Sequence, residues 1–262
     1  MSEAKVTVEI NDDVALLRLN DTKTLNAFSQ ELIDDLVAAL DKAEAEARAI
    51  VITGEGRGFS SGANLGDGGI MATPRLERDL GARLESLVNP LMRRIKGLPI
   101  PFITAVNGPA AGVGCTLALA GDMIVVAEGA YFLQSYLRIG LIPGGGATYL
   151  LAASAGRVRA MEMMMLGEKI SAAQALEWGL VSRVVSDADL VTTALGLAKR
   201  LANGPTVALS LLRKLAWSAL DQTFEDQLDA ERDAQRICGR TLDLEEGVTA
   251  FRNKRAAKFT GA

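Results

Sequence analysis

The sequence predicts an α/β fold, and three patterns along the chain indicate it. Short apolar segments of strand length recur through the first 185 residues, and segments of helical periodicity lie between them. From Asp189 onward the pattern is almost wholly helical. Strand and helix units followed by a helical tail are typical of α/β proteins rather than of all-α or all-β proteins.

The first elements are predicted to be a hairpin, a helix and a strand. Residues 6–10 and 14–19 alternate apolar and polar side chains around Asn11-Asp12-Asp13, which indicates two paired strands. Ser29 is a candidate N-cap, and apolar residues recur at helical spacing over residues 32–40. Residues 49–53 form a short apolar run that predicts a buried strand.

The middle of the chain continues the same alternation. Residues 76–98 have helical periodicity with a break or kink at Pro90, and residues 102–106 predict a strand. Residues 111–120 are small and helical, and Gly121 ends them. The remaining predicted strands are residues 123–127, 131–134 and 181–185, and the remaining helices before the tail are residues 150–155, 158–166 and 172–178.

A shift in composition near Gly204-Pro205 predicts a domain boundary. We expect a core over residues 1–203 and a helical C-terminal region over residues 204–262. With 262 residues, 49% of them hydrophobic, the chain is long enough for a large buried core.

Charge and composition exclude several classes of protein. The net charge of −4 and the lack of a strongly basic run argue against a nucleic-acid binder. The polar N-terminus and the absence of a long apolar stretch predict neither a signal peptide nor a membrane anchor. Cys115 and Cys238 lie in apolar helical patterns, so we expect reduced thiols and a cytoplasmic location.

The chain contains no histidine, which limits its chemistry more than any other count. Gly58, Ser60 and Gly62 match the spacing of a nucleophile elbow, but without histidine the serine has no partner to take its proton. Neither of the glycine-rich spacings typical of dinucleotide or nucleoside triphosphate sites occurs. Carboxylates, hydroxyls and backbone amides are left to carry any chemistry.

Two glycine-rich turns each follow a predicted strand, at residues 58–65 and 107–116. Glycine lets a ligand approach main-chain N–H groups, so the two turns together could form an oxyanion hole. Ordinary tight turns between a strand and a helix would show the same spacing. The residues alone leave both interpretations open.

Longer segments around these turns carry a family resemblance. Residues 56–65, 105–115 and 140–146 resemble the signature segments of the enoyl-CoA hydratase/isomerase (crotonase) superfamily, and residues 23–27 and 246–255 are similar to it as well. The similarity spans nearly the whole chain in order. It implies a crotonase-type spiral of ββα units with a C-terminal helical region that assembles trimers or pairs of trimers.

The resemblance also implies a site for an acyl-CoA thioester, with coenzyme A as part of the substrate and with no permanently bound cofactor and no metal. The backbone N–H groups of Ala63 and Val113 would hold the thioester oxygen. We expect an ordinary φ at Val113, because a β-branched residue resists positive φ. The residues expected to line the coenzyme A path or close over its end are Lys23, Leu25, Ser61, Ala63, Asn64, Leu65, Gly112, Phe251 and Lys254.

The chain departs from the family pattern at the acid/base positions. Hydratases of this family use two glutamates, and the corresponding positions hold Thr116 and Tyr136. Residues 227–236 resemble the ring-epoxide isomerases of phenylacetyl-CoA degradation, which place an acid directly after the residue equivalent to Pro143, where this chain has Gly144.

Three hypotheses follow from these departures. The first is an acyl-CoA isomerase or hydratase-like enzyme, with the isomerase favoured, whose proton carrier is an unrecognised residue such as Tyr136 or Asp67. The second is a non-catalytic acyl-CoA binder. The third is a structural oligomer that uses the glycine turns only for packing.

Overall fold

The computed structural model describes residues 4–64 and 73–262 of the chain. Leu65 and Asp67, two residues singled out from the sequence, lie outside the described residues.

The main sheet has six strands in the order β1-β2-β3-β4-β6-β9. Only β1 and β2 pair antiparallel, as the predicted hairpin, and each later pair is parallel. A second sheet has three strands in the order β5-β7-β8. The strands are β1 (Val6–Asn11), β2 (Val14–Leu19), β3 (Ala49–Gly54), β4 (Phe102–Val106), β5 (Ala110–Ala111), β6 (Met123–Ala127), β7 (Tyr131–Leu133), β8 (Lys169–Ser171) and β9 (Arg183–Val185).

The first helix confirms the predicted N-cap and is longer than predicted. In α1 (Gln30–Glu46), the Ser29 hydroxyl accepts the Leu32 N–H. The helix continues beyond residue 40 through alanine, glutamate and lysine, which are good helix formers. Its buried residues, from Leu32 to Ala43, lie on one face and pack toward β1 and β2.

The predicted helix over residues 76–98 is divided, and the break differs from the prediction. Short α2 (Leu80–Arg83) leads into a π-helical turn over Leu84–Val88, and α3 (Asn89–Lys96) follows. The Asn89 N–H donates to the Leu84 carbonyl, five residues back. Pro90 has no N–H, and its ring would crowd the carbonyl four residues earlier, so the wider turn directly before it relieves that clash.

The other predicted helices of the core are found with small shifts. Helix α4 (Val113–Leu119) is shorter than expected because Ala110–Ala111 pairs as β5. Helix α5 (Ala147–Leu166) covers the two segments predicted separately, and it kinks between them at Gly156, which has φ 78°. Helix α6 (Ala172–Glu177) and strand β9 follow as predicted, with β9 confined to residues 183–185.

The C-terminal part of the chain is helical, as predicted. It contains α7 (Leu190–Ala202), α8 (Thr206–Ser218), α9 (Phe224–Cys238) and α10 (Leu242–Arg252), with the break after α7 at Gly204-Pro205. Helix α7 packs on strands β2, β3, β4 and β6 of the main sheet, and α8 packs against α9. The division at residue 203 and the trimerisation role of the region stay predictions. Among the described residues, no helix is both long and apolar enough to cross a bilayer.

Candidate functional site

The two glycine-rich turns lie side by side at the carboxyl ends of β3 and β4. These strands are neighbours and parallel, so their C-terminal ends meet at one edge of the sheet. The Ser60 N–H donates to the Pro109 carbonyl at 3.1 Å, and the Ala111 N–H donates to the Ser60 carbonyl at 2.9 Å. Ser60 and Ala110 thereby form a parallel bridge that holds the turns together.

Two glycines allow this close approach. Gly62 has φ 96°, and a Cβ placed on it would lie 2.7 Å from the Ala111 carbonyl oxygen. A Cβ on Gly114 would lie 2.5 Å from the Cβ of Ser60. A larger residue at either position would push the two backbones apart.

The Ala63 N–H points away from the neighbouring segment that carries Phe28. The Gly62 carbonyl accepts the Phe28 N–H at 2.7 Å, and the Asn64 N–H donates to the Phe28 carbonyl at 3.2 Å. Because Ala63 lies between these two bonded groups in an extended bridge, its own N–H points to the opposite side. Within residues 4–64 and 73–262, the Ala63 N–H donates to no acceptor.

Val113 is the first residue of α4, and its N–H precedes any intrahelical acceptor. Gly112 takes the unusual conformation, φ 52° and ψ −124°, while Val113 is not among the residues with positive φ. The predicted ordinary φ at Val113 is therefore confirmed. The Gly112 N–H donates to the Leu133 carbonyl at 2.9 Å, which ties the turn to β7 on its other side.

The peptide group that carries the Val113 N–H also contains the Gly112 carbonyl, and three donors bind that carbonyl. The Gly112 carbonyl accepts the Thr116 N–H at 3.1 Å, the Thr116 hydroxyl at 3.2 Å and the Gln134 amide at 3.4 Å. Donors on the carbonyl polarise the peptide and strengthen the N–H as a donor. Gln134 is fully buried, and no motif or spacing in the sequence indicated its position here.

Thr116 is also fully buried, and its hydroxyl lies near a second carbonyl, that of Gly144, at 3.4 Å. Position 116 is where the resemblance places the first of the two glutamates of hydratases, but here the Thr116 side chain binds backbone carbonyls. A neutral hydroxyl that is hydrogen-bonded to backbone in this way does not act as an acid or a base near neutral pH.

Tyr136 lies against the same turn. A Cβ on Gly112 would be 3.4 Å from the Tyr136 hydroxyl oxygen. Burial, with the Cys115 thiol adding to it, raises the pKa of Tyr136 to about 12, and the Val113 backbone amide partly offsets the rise. The phenol therefore stays protonated near neutrality, which argues against Tyr136 as a general base.

Apolar side chains from the π-helical turn and α3 cover the neighbouring glycines. A Cβ on Gly144 would lie 2.9 Å from Leu84, and one on Gly145 would lie 2.8 Å from Val88. The same Cβ on Gly145 would lie 3.7 Å from the Thr116 methyl group. Leu84 thus fills the space beside the position where the resemblance to ring-epoxide isomerases would place an acid.

Three of the residues expected to line the coenzyme A path lie close together in the structure, and their role stays a prediction. The Ser61 N–H donates to the Leu25 carbonyl and the Ser61 hydroxyl to the Thr24 carbonyl, each at 2.8 Å. Leu25 has φ 56°, and Lys23 is exposed on the short 3-10 helix before it. Ser61, Leu25 and Lys23 therefore lie together, next to the turn that carries Ala63.

Asn26 holds that arrangement from inside the protein, although its side chain was not predicted as part of the site. Its amide donates to the carbonyls of Glu55, Gly58 and Phe59 at 3.0 to 3.2 Å. It is fully buried, with φ 57°. Buried polar side chains are almost always hydrogen-bonded, and here the partners are three carbonyls of the loop after β3.

Ser60, the central residue of the elbow-like motif, has a structural role. Its hydroxyl donates to the Asn26 carbonyl at 2.7 Å and accepts the Gly62 N–H at 3.2 Å. It is fully buried, so the structure agrees with the exclusion of a serine nucleophile.

Phe251 and Lys254 lie at and just beyond the end of α10. The Phe251 side chain is 85% exposed and borders a cavity of about 450 Å³ together with Pro205 and Phe259. Lys254 is exposed, with φ 56°. Their closure over the coenzyme A end stays a prediction.

The six-stranded and three-stranded sheets and the helical C-terminal region define a mixed α/β protein of the crotonase fold. Residues 9–262 match the sequence profile of the family described as Enoyl-CoA hydratase/isomerase, and the chain belongs to this family.

Both isomerases and hydratases are among its relatives. The 1,2-epoxyphenylacetyl-CoA isomerase of Escherichia coli is 44% identical over 96% of this chain and 97% of its own length. The 2,3-dehydroadipyl-CoA hydratase of the same organism is 35% identical over 98% and 99%. An enoyl-CoA hydratase structure from Polaromonas sp. JS666 is 35% identical and superposes with a TM-score of 0.90, covering 97% of this chain and 99% of that one.

Proposed function

We propose that this protein binds acyl-CoA thioesters and stabilises an enolate or oxyanion at the thioester, acting as an isomerase rather than a hydratase. One observation carries the proposal. The Ala63 and Val113 amides have no intrachain acceptor on the described residues, and they lie on turns that the structure packs side by side.

Two such amides suit the chemistry of a thioester. Hydrogen bonds to the carbonyl oxygen stabilise the negative charge that develops there when the neighbouring carbon loses a proton, and each donor contributes on the order of 3 kcal/mol in the transition state. A base must take that proton and return it at a different carbon, which moves the double bond, and Asp67, the carboxylate singled out in the sequence and outside the described residues, is the candidate for this role.

The neutral side chains favour isomerisation over hydration. Hydration requires groups that position water and exchange its proton, for which a pair of carboxylates is suited. Here Thr116 is committed to backbone carbonyls and Tyr136 is held protonated. The similarity to the 1,2-epoxyphenylacetyl-CoA isomerase supports the same preference.

The walls of the site indicate an apolar acyl group. The apolar side chains of Leu84, Val88 and Met92 stand over Gly144 and Gly145. We therefore propose an unsaturated or ring-containing acyl group that is apolar next to the thioester.

The assembly and location belong to the same proposal. Apolar side chains are exposed on the C-terminal helices, Leu212, Phe224 and Leu228 among them, and a homotrimer or pair of trimers would cover such surface. Light scattering tests this. Both Cys115 and Cys238 are free thiols, which supports a cytoplasmic location.

A second candidate function, a non-catalytic acyl-CoA binder, is favoured by the same neutral pair at positions 116 and 136. Incubation with saturated and unsaturated acyl-CoAs in heavy water separates the two, with deuterium at the carbons next to the thioester measured by mass spectrometry. Incorporation supports the isomerase. Binding without exchange or turnover supports the binder, and absence of binding overturns both.

Ala63→Pro sharpens the experiment, because proline deletes one N–H that no described residue uses. We expect exchange to fall by roughly 10²-fold or more, with binding less affected. Ala63→Gly, which keeps the N–H, is the matched control. Equal exchange in the two variants would show that the Ala63 amide does not hold the oxygen.

A further inference from the structure

The hydroxyl of Tyr136 is a buried polar atom without a hydrogen-bond partner in the described part of the chain. Buried hydroxyl groups are almost always paired in folded proteins, and each exception calls for a physical explanation. A ligand that supplies the missing partner is one such explanation.

The hydroxyl lies where a ligand oxygen would meet it. Its oxygen is 3.4 Å from a Cβ placed on Gly112, and two ring carbons are 3.5 Å from the same point. The Val113 amide is near enough to influence the phenol, although the two groups do not meet with hydrogen-bond geometry. The Tyr136 oxygen and the Val113 N–H therefore face the same small space beside Gly112.

The phenol has a hydrogen to donate in that space. Its pKa of about 12 keeps it protonated over the physiological range. Thr116 and Gln134, the neighbouring polar side chains, are bound to the Gly112 carbonyl on the other side of the peptide. They hold the Val113 amide in place, and neither of them pairs with the Tyr136 hydroxyl.

We propose that Tyr136 is a third hydrogen-bond donor to the thioester oxygen, in addition to the Ala63 and Val113 amides. This inference rests on the proposed function. Tyr136 keeps its proton throughout, and its O–H dipole stabilises the charge that develops on the oxygen. Position 136 thus supplies a neutral donor where hydratases of the family carry a carboxylate.

A chromophoric ligand tests the inference without reference to turnover. Cinnamoyl-CoA has a carbonyl conjugated to a ring, and donors on its oxygen shift its absorbance to longer wavelength. We expect a red shift on binding to the wild type and a clearly smaller one with Tyr136→Phe. Deuterium exchange should fall roughly tenfold to a hundredfold in the same variant.

Tyr149→Phe is the matched control, because its hydroxyl donates to Asp221 at 3.0 Å outside this turn. It should keep the full red shift. Replacement of Tyr136 by a fluorinated tyrosine, which is a stronger donor of nearly the same size, should increase the red shift and covers the case in which Tyr136→Phe folds poorly.

The outcomes separate this inference from the proposed function. A full red shift in Tyr136→Phe, or an unchanged one in the fluorinated protein, overturns the role of Tyr136. If Ala63→Pro reduces the red shift and Tyr136→Phe does not, the amides bind the thioester oxygen and Tyr136 does not donate to it. Binding without any shift in the wild type overturns the oxyanion hole itself.

Discussion

Gly114 lies against Ser60 so closely that a Cβ on the glycine would come within 2.5 Å of the serine Cβ. This contact joins the turn after β3, which carries Ala63, to the start of α4, which carries Val113. We predict that Gly114→Ala lowers the free energy of unfolding by roughly 1–3 kcal/mol, because the added methyl group overpacks two backbones. Urea unfolding measures the loss, and deuterium exchange should fall with it.

Gly196→Ala is the control for this prediction. Gly196 lies inside α7, and a Cβ there would meet nothing within 4 Å. Alanine is the better helix former, so this variant should gain roughly 0.5–1 kcal/mol. Gly114→Ala as stable as the wild type would contradict the close contact.

The Thr116 hydroxyl offers a second prediction. Thr116→Val removes a donor from the Gly112 carbonyl while keeping the shape of the side chain. We expect a stability loss of about 1 kcal/mol together with a several-fold fall in deuterium exchange, since the Val113 N–H becomes less polarised and less firmly oriented.

Thr104→Val is matched to it, because Thr104 is also fully buried and donates to a carbonyl of α4, that of Ala118, at 2.7 Å. It should lose comparable stability and keep its exchange rate. Equal exchange in the two variants would mean that Thr116 acts on stability alone.

A third prediction concerns Arg213, which joins α8 to the core. Its side chain is 4% exposed and pairs with Asp122 at 2.7 Å, and it donates to the carbonyls of Ile95 and Lys96 in the last turn of α3 and of Leu98 just beyond it. Arg213→Met removes the positive charge that pairs with Asp122 and the donors to these carbonyls. We therefore expect the free energy of unfolding in urea to fall by roughly 3–5 kcal/mol. Arg232→Met, in an exposed pair with Asp229, should leave the unfolding midpoint unchanged.

The fourth prediction is a pH dependence at Glu246. Hydrogen bonds from Arg255, and then from the Lys258 N–H, lower the pKa of Glu246 from 4.5 to about 2. The folded state thus favours the charged carboxylate, so its stabilisation is present above about pH 4.5 and is lost as the pH falls toward about 2.

Unfolding midpoints of the wild type and Glu246→Gln measure this effect. The wild type should be the more stable at about pH 6, and the difference should narrow toward about pH 2. Glu245→Gln removes a charge from the same turn of α10 and controls for net charge. A difference that is constant with pH would show that the ion pair does not contribute.

Much of the fold could be predicted from the sequence because its signals are local. The hairpin, the Ser29 cap, the strands before the two glycine turns and the C-terminal helices all follow from periodicity and capping residues. The π-helical turn before Pro90 could not be located in this way, because the sequence marks where a helix is disturbed and not how the backbone adjusts.

The candidate site was likewise predictable from the sequence only in its local features. The motifs of the sequence by themselves determined that two glycine-rich turns follow strands, that no histidine is present and that neutral residues stand at positions 116 and 136. Only the tertiary structure decided that Gln134 and Thr116 hold one peptide carbonyl, and that the Ala63 and Val113 amides and the buried Tyr136 hydroxyl have no hydrogen-bond partner among residues 4–64 and 73–262. The physical reason is that hydrogen bonding and burial depend on contacts between residues far apart in the chain, and spacing along the chain does not encode them.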